Sequence, residues 1–330
     1  RKQSATISVL RGFYSNINQR GRTMDGMILI DKPQSFTSFD VVAVMRGLFH
    51  QKKVGHTGTL DPMATGVLPI LLGKATRCAP FLEDTNKEYQ AQFQLGTATD
   101  TQDSTGNVVA VSEHKVTRQE LEQVLPQFRG EILQLPPMYS AVQKDGQRLY
   151  VLARQGIEVE REKRPVTIFK CELVSFDENT QTGTLCVACS KGTYIRTLCH
   201  DIGTALGTYG MMTALRRTIA CGFTLEQTIP LQKAKQIIEQ GGTLQDRVLP
   251  IDSIFQDKPV LTVSQAQTTR FSNGGGLSLE RLRLSEVQKK EDGKVYRVYG
   301  YDGIFLGLGV VSVAKGELRI LRLFCGEDKV

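Results

Sequence analysis

The chain has 330 residues, 40% apolar and 23% charged, an ordinary globular composition and enough length for two domains with separate cores. Its longest apolar runs, such as "VLPILLG" at Val67–Gly73, are far too short to cross a bilayer. Lysine and arginine (41) outnumber aspartate and glutamate (34), and the resulting +7 suits a polyanionic partner without requiring one. Seven cysteines, an odd number scattered through a chain that needs no staples, point to a reducing compartment rather than a disulfide framework.

Residues 1–23 hold five arginines and lysines, several Ser and Thr, and no acid, so they read as a basic leader, disordered or processed. The expected compartment is the cytoplasm, or the mitochondrial matrix if that leader is a transit peptide. From Met24, "GMILIDKP" predicts a strand and turn, and Thr37 or Ser38 can cap a helix through "FDVVAVMRGLFH". A glycine-rich loop follows, "GHTGTLDPMATG" at Gly55–Gly66, and then another apolar strand and a helix-compatible segment. Tyr89, Ala91, Phe93 and Leu95 alternate with polar residues, the period of a half-buried strand. "TRQELEQVLPQFR", Thr117–Arg129, carries a capping-box signature, a threonine with glutamate three residues on.

Gly130–Arg164 has a different texture, with Pro136-Pro137, basic side chains at Lys144, Arg148 and Arg154, and tyrosines at 139 and 150. It is either a surface excursion with one short helix or an element for RNA, whose phosphates attract cations and whose unpaired bases stack on rings. Two strands rich in Val, Ile, Thr and Phe and a helix from about Tyr194 follow without strict βαβ repetition. The fold class expected is α+β, with a mixed, mostly antiparallel sheet. Short alternating runs broken by Gly and Asp then predict a small β-rich domain over 254–330.

Asp61, followed by Pro62 among small residues, suits a turn or helix start, and equally suits a carboxylate that a bulky substrate can approach. Such a nucleophile needs a cation beside it, and Arg196 in "SKGTYIRT" is a candidate because it follows an apolar strand into a turn. His56 has no second ligand nearby, and Cys186 and Cys189 sit in a strand-like run, so no metal site is expected. Serine-hydrolase, zincin, P-loop and dinucleotide signatures are absent, which favours a reaction with no cofactor.

Six segments in order, "DKPQSFTS", "GHTGTLDPMATGVLPI", "KEYQAQFQLG", "PPMYSAVQKDGQRLYVLARQGIEV", "SKGTYIRTL" and "ALRRT", resemble the tRNA pseudouridine-55 synthases of the TruB type. The resemblance implies a catalytic domain of pseudouridine-synthase type over 24–253, with 130–160 as an insertion that grips the T-stem loop of tRNA, and a PUA-like RNA-binding domain over 254–330. It implies isomerisation of uridine 55 on a flipped-out base, without cofactor, metal, membrane or obligate protein partner, by a monomer. Asp61 becomes the nucleophile, Tyr89 stacks on the uracil and assists proton removal from C5, and Arg196 pairs with Asp61. Tyr194 and Leu215 line the pocket, His56 fills the space left by displaced nucleotides, Lys32 backs the region as part of the substrate site, and Asp103 positions the loop. Lys144, Arg148 and Arg154 would meet the RNA. The family usually has glycine where this chain has Ser35. The alternative is a tRNA-folding chaperone that binds the elbow, with catalysis secondary.

Overall fold

A computed structural model describes residues 23–83 and 85–326; the leader reading falls on residues 1–23 and so lies almost wholly outside them. Ten strands form one sheet: β1 (Gly26–Lys32), β2 (Val54–His56), β3 (Thr65–Leu72), β4 (Lys87–Leu95), β5 (Gly130–Gln134), β6 (Arg164–Asp177), β7 (Thr182–Cys189), β8 (Gly210–Ala220), β9 (Phe223–Thr224) and β10 (Ile229–Pro230). They lie in the order β10-β1-β3-β8-β4-β7-β6-β5, with β2 on β3 and β9 on β8. Only β1/β10 and β3/β8 pair parallel, so the sheet is mixed and mostly antiparallel, as expected.

Helix α1 (Ser38–Leu48) starts where its sequence says: the Thr37 hydroxyl accepts from the Asp40 N–H, and the Asp40 carboxylate accepts from the Thr37 N–H. Thr117 and Glu120 build the same device at α2 (Arg118–Val124), which stops early because Pro126 forces the next turn into a 3₁₀ form. In β4, Tyr89, Ala91, Phe93 and Leu95 are buried and enter a core with β6, β7, β8 and α4 (Ile195–Ala205). Tyr194 is the residue that precedes α4.

Why Met27–Ile30 of β1 form an unbroken apolar run becomes clear from the strand's two faces. Ile28 and Ile30 pack with Val41, Met45 and α5 (Leu231–Glu239), while Met27 and Leu29 turn to the opposite side. There they meet Phe255, Leu308 from a second sheet, and Phe324 just past that sheet's last strand. That sheet comprises β11 (Val260–Thr262), β12 (Leu277–Ser278), β13 (Val295–Tyr299), β14 (Phe305–Ser312) and β15 (Glu317–Leu323), ordered β11-β13-β14-β15-β12 around its own core with α6 (Gln265–Ser272). Phe255 has ring contacts with Phe81 at 5.6 Å and Phe324 at 5.9 Å, so an aromatic seam joins the two sheets.

The 130–160 insertion needs one correction. Gly130–Gln134 is an edge strand of the main sheet, paired with Arg164–Ile168, so the true excursion runs from 135 to 163. It contains a two-residue hairpin at Gln143–Lys144 and Gln147–Arg148 and one short helix, α3 (Leu149–Arg154).

Candidate active site

Asp61 sits in the loop between β2 and β3, and nearly every turn of that loop is fixed from outside. The Thr57 N–H donates to Pro69 O (3.2 Å), the Leu60 N–H to Ser38 Oγ (2.9 Å) and the Ser35 N–H to Pro62 O (2.8 Å). The Ala64 N–H closes a turn on Asp61 O (3.0 Å), and Arg217 Nη2 donates to Gly58 O (2.8 Å). Gly66 ends the loop at φ +105°, where a Cβ would lie 2.2 Å from Arg217 O on the neighbouring strand, so only glycine lets β3 and β8 meet there.

Lys32 is fully buried, and its Nζ donates to Pro33 O, Phe36 O and Pro62 O, tying the β1–α1 turn to the Asp61 loop. Its three donors are used inside the protein, so Lys32 stands as an anchor beneath the loop. Burial is the main reason its pKa falls to about 8, with Asp61 opposing the fall and Arg217 adding to it.

The loop delivers the Asp61 side chain 42% exposed, with Oδ2 at 3.2 Å from Nη2 of Arg196, a guanidinium only 8% exposed. Arg196 projects from the first turn of α4 and is held on its other edges: Nη1 donates to Thr101 O (3.2 Å) and Nη2 to Tyr139 O (2.9 Å). Nη1 also faces Oδ2 of Asp103 at 3.5 Å. Asp103 is buried, and its Oδ1 accepts from Thr101 Oγ1 (2.8 Å) and the Thr105 N–H (2.9 Å). One arginine therefore lies between a buried, saturated carboxylate and an accessible one, which orients Asp61 while leaving its second oxygen to a reactant.

Tyr89 and Leu215 share one buried cluster with Leu60 and Ala64 of the Asp61 loop, and the Asp61 charge acts on the Tyr89 phenol. Burial raises the Tyr89 phenol pKa, opposed chiefly by Arg217. Tyr194 is half-buried, its backbone clasped by the Gln134 amide. His56 packs edge-on against the exposed Phe39 ring at 5.1 Å, and burial with the Arg217 charge lowers its pKa, so the imidazole is neutral at pH 7. Asp61, Tyr89, Arg196, Leu215, His56 and Lys32 thus converge on one region, with Tyr194 at its edge. Lys144, Arg148 and Arg154 stay on the exposed surface of the excursion, where Arg154 lies over the Tyr150 ring at 5.5 Å. Arg217 was not singled out by its sequence context; its only signal is the second arginine of "ALRRT". Among the described residues no three His, Cys, Asp or Glu side chains converge as a metal site, and burial pushes the Cys189 thiol up to about 11.

The profile of the TruB family pseudouridylate synthase N-terminal domain matches residues 46–195, and that of the tRNA pseudouridylate synthase B C-terminal domain matches 196–256. The chain is 46% identical over 308 residues to a tRNA pseudouridine synthase B of Pseudomonas fluorescens (strain Pf0-1), covering 93% of this chain and 97% of the relative. It is 43% identical over 304 residues to one from Azoarcus sp. (strain BH72), covering 92% and 95%. Among solved structures it superposes on a chain of a Cbf5-Nop10-Gar1 complex with TM-score 0.68 and 25% identity, over 92% of this chain and 86% of that one. The mixed sheet and the appended PUA-like β domain are those of a pseudouridine synthase, an RNA-modifying isomerase. Within that class the chain belongs to the TruB family.

Proposed function

We propose that the protein isomerises uridine 55 in the T-loop of tRNA to pseudouridine, with Asp61 as nucleophile. The observation that carries this reading is the half-exposed Asp61 carboxylate on a loop pinned from several sides, held 3.2 Å from a buried arginine. The relatives named tRNA pseudouridine synthase B support tRNA as substrate. Asp61 attacks C1′, releasing uracil at N1, or adds at C6 to weaken the N1–C1′ bond. In either route the base turns, C5 bonds to C1′, the carboxylate leaves, C5 loses its proton and N1 gains one. Nothing is gained or lost overall. A carboxylate serves because it attacks without a separate activating base and departs again.

Flipping the uridine costs a few kcal/mol of stacking, least in a loop, which Tyr89 stacking and the Leu215 and Tyr194 walls return. His56 takes the space so opened; a neutral imidazole enters a base stack at lower desolvation cost than a charged one. The excursion at 135–163 grips the T-stem loop through Lys144, Arg148 and Arg154, and the protein works as a monomer. Seven unpaired cysteines suit a reducing compartment. The exposed basic excursion also favours a second activity, remodelling of the tRNA elbow without chemistry.

The test is Asp61→Asn on an unmodified T-arm hairpin. Pseudouridine formation should fall by about four orders of magnitude, the loss typical when an essential ion-paired carboxylate is made neutral. A wild-type rate would remove Asp61 from the chemistry. If Asp61→Asn still promotes tRNA folding, the remodelling activity is separate from isomerisation; loss of both ties them together.

A further inference from the structure

Arg217 is the largest fully buried side chain of the described residues. Its Nε donates to Val67 O (2.8 Å) on β3 and its Nη2 to Gly58 O (2.8 Å) on the Asp61 loop. Nη1 is buried and has no hydrogen-bond partner among the described residues, and no carboxylate there pairs with the group. A dry guanidinium with one donor unspent is expensive unless that donor is used at some stage.

Its neighbours indicate where. On β8 and β4, Arg217 lies directly opposite Tyr89, so both side chains rise from the same face with Cβ atoms about 5 Å apart. Val187 flanks Tyr89 from β7 and offers no polar group. Gly58 stands on the loop side at φ +71°, where a Cβ would sit 3.1 Å from Nη1. Asp61 and the Cys189 thiol also face the phenol, while Lys32, His56 and Cys221 face the guanidinium.

We infer that Arg217 is a positioning residue that fixes the Asp61 loop through Gly58 and offers its unshared Nη1–H to the Tyr89 phenol oxygen as that oxygen gains negative charge. The inference rests on the reading that Tyr89 takes part in removing the C5 proton. In that step the phenol oxygen accepts the proton from C5 while passing its own to the released Asp61 carboxylate, N1 gains a proton in exchange, and the electron pair of the C–H bond restores the uracil ring. A fixed cation beside the oxygen lowers the cost of its transient phenolate character. The direction of the Tyr89 pKa agrees: burial raises it and Arg217 is the largest opposing influence.

The experiment is a double-mutant cycle read as kcat and KM on a T-arm hairpin across pH 6–10. Arg217→Gln should lower kcat by about 100-fold, the usual loss when one donor to a developing oxyanion is removed, with KM changed by less than about threefold. Arg217→Lys, which keeps the charge, should recover most of it. In the Tyr89→Phe background, Arg217→Gln should cost less than about threefold more, because the oxygen it serves is gone. Replacing Tyr89 with a fluorotyrosine of lower phenol pKa should restore part of the Arg217→Gln rate and move its alkaline limb to lower pH. A merely structural arginine predicts the opposite: losses that multiply in the double variant and no fluorotyrosine rescue, either of which overturns the inference. Thermal unfolding of each variant separates misfolding from this pattern, and Arg217→Lys keeps the test open if Arg217→Gln fails to fold. Should Tyr89→Phe alone keep the wild-type rate, the reading of Tyr89 fails and the inference falls with it; an impaired Tyr89→Phe with multiplying losses sinks the inference only.

Discussion

The Asp61 loop and the excursion at 135–163 are both irregular chain between strands, yet they are built on opposite terms. The loop is small-residue sequence that composition would call pliable, but Lys32, Ser35, Ser38, Pro69 and Arg217 grip its backbone at Thr57, Gly58, Leu60 and Pro62. The excursion has larger side chains and fewer ties. Leu149 and Leu152 bury, Arg161 Nη1 donates to Pro136 O (3.0 Å) and Arg196 reaches Tyr139 O, while Lys144, Arg148 and Arg154 stay exposed. Partners, not residue size, decide which segment is preorganised. A reacting carboxylate must be held in place before substrate arrives, whereas cations that meet phosphate work from solvent-facing positions.

The sharpest way to break this contrast is at Arg196, a side chain that touches both segments. Arg196→Met leaves Asp103, a carboxylate only 5% exposed, without its cation. The expected loss is about 3 kcal/mol of unfolding free energy in urea melts, together with near-complete loss of activity. Arg196→Lys should regain part of the stability but little activity, since an ammonium cannot span Asp61, Asp103 and two carbonyls as a planar fork does. Equal recovery of both would mean that charge alone, and not orientation, is what Asp61 needs.

Next in size is the excursion. Neutralising Lys144, Arg148 and Arg154 to Gln should weaken hairpin binding roughly 30-fold near 0.1 M salt and lower the slope of log K on log salt by about 2, less than one unit per contact. Single-turnover kcat at saturating RNA should stay close to wild type, because these side chains are exposed to solvent while Asp61 is oriented by Arg196. An unchanged salt slope would separate this surface from the RNA backbone.

What could be read in the sequence follows the same division. Local signals held: the Thr37 and Thr117 caps, the alternation of β4 and the strand reading of Cys186–Cys189. β5 was absorbed into the excursion because five residues before Pro136-Pro137 look like loop, and their partner strand begins 30 residues later. Asp61 and Arg196 are 135 positions apart, so spacing could not pair them; the strand-to-turn context of Arg196 made it one candidate cation and the resemblance singled it out. The burial of Lys32 and Arg217 was hidden for a physical reason. A lysine or arginine is expected at the surface, and these two are inside because backbone carbonyls of the Asp61 loop receive their N–H groups.

A smaller, pH-dependent effect tests the anchor under the loop. Unfolded Lys32 would keep its proton to about 10.5, whereas the folded protein releases it near 8. Between those values unfolding takes up a proton, so the unfolding free energy gains up to about 1.4 kcal/mol per pH unit from this group as pH rises. Below pH 8 the contribution is flat. Urea melts at pH 8.5 and 9.5 should therefore show wild type gaining on Lys32→Met by about that amount, and parallel pH curves would show that Lys32 keeps an ordinary pKa.

The smallest effect concerns the turn that supports the loop from the other side. Ser35 adopts φ +67°, a left-handed conformation that costs a residue with a Cβ about 1 kcal/mol. The turn forms all the same, because the Ser35 N–H donates to Pro62 O and Lys32 Nζ holds the carbonyls on either side, at Pro33 and Phe36. Glycine would relieve the strain but lose more freedom on folding, leaving a net gain of about 0.5 kcal/mol. Ser35→Gly should thus raise the unfolding midpoint by about 1–2 °C with kcat unchanged. Gly66→Ala is the matched opposite: the new methyl meets a backbone carbonyl of β8 that cannot retreat without breaking the β3/β8 pair. If the two substitutions changed activity alike, the loop would not be held by its neighbours as described, since the first leaves every anchor in place and the second displaces one.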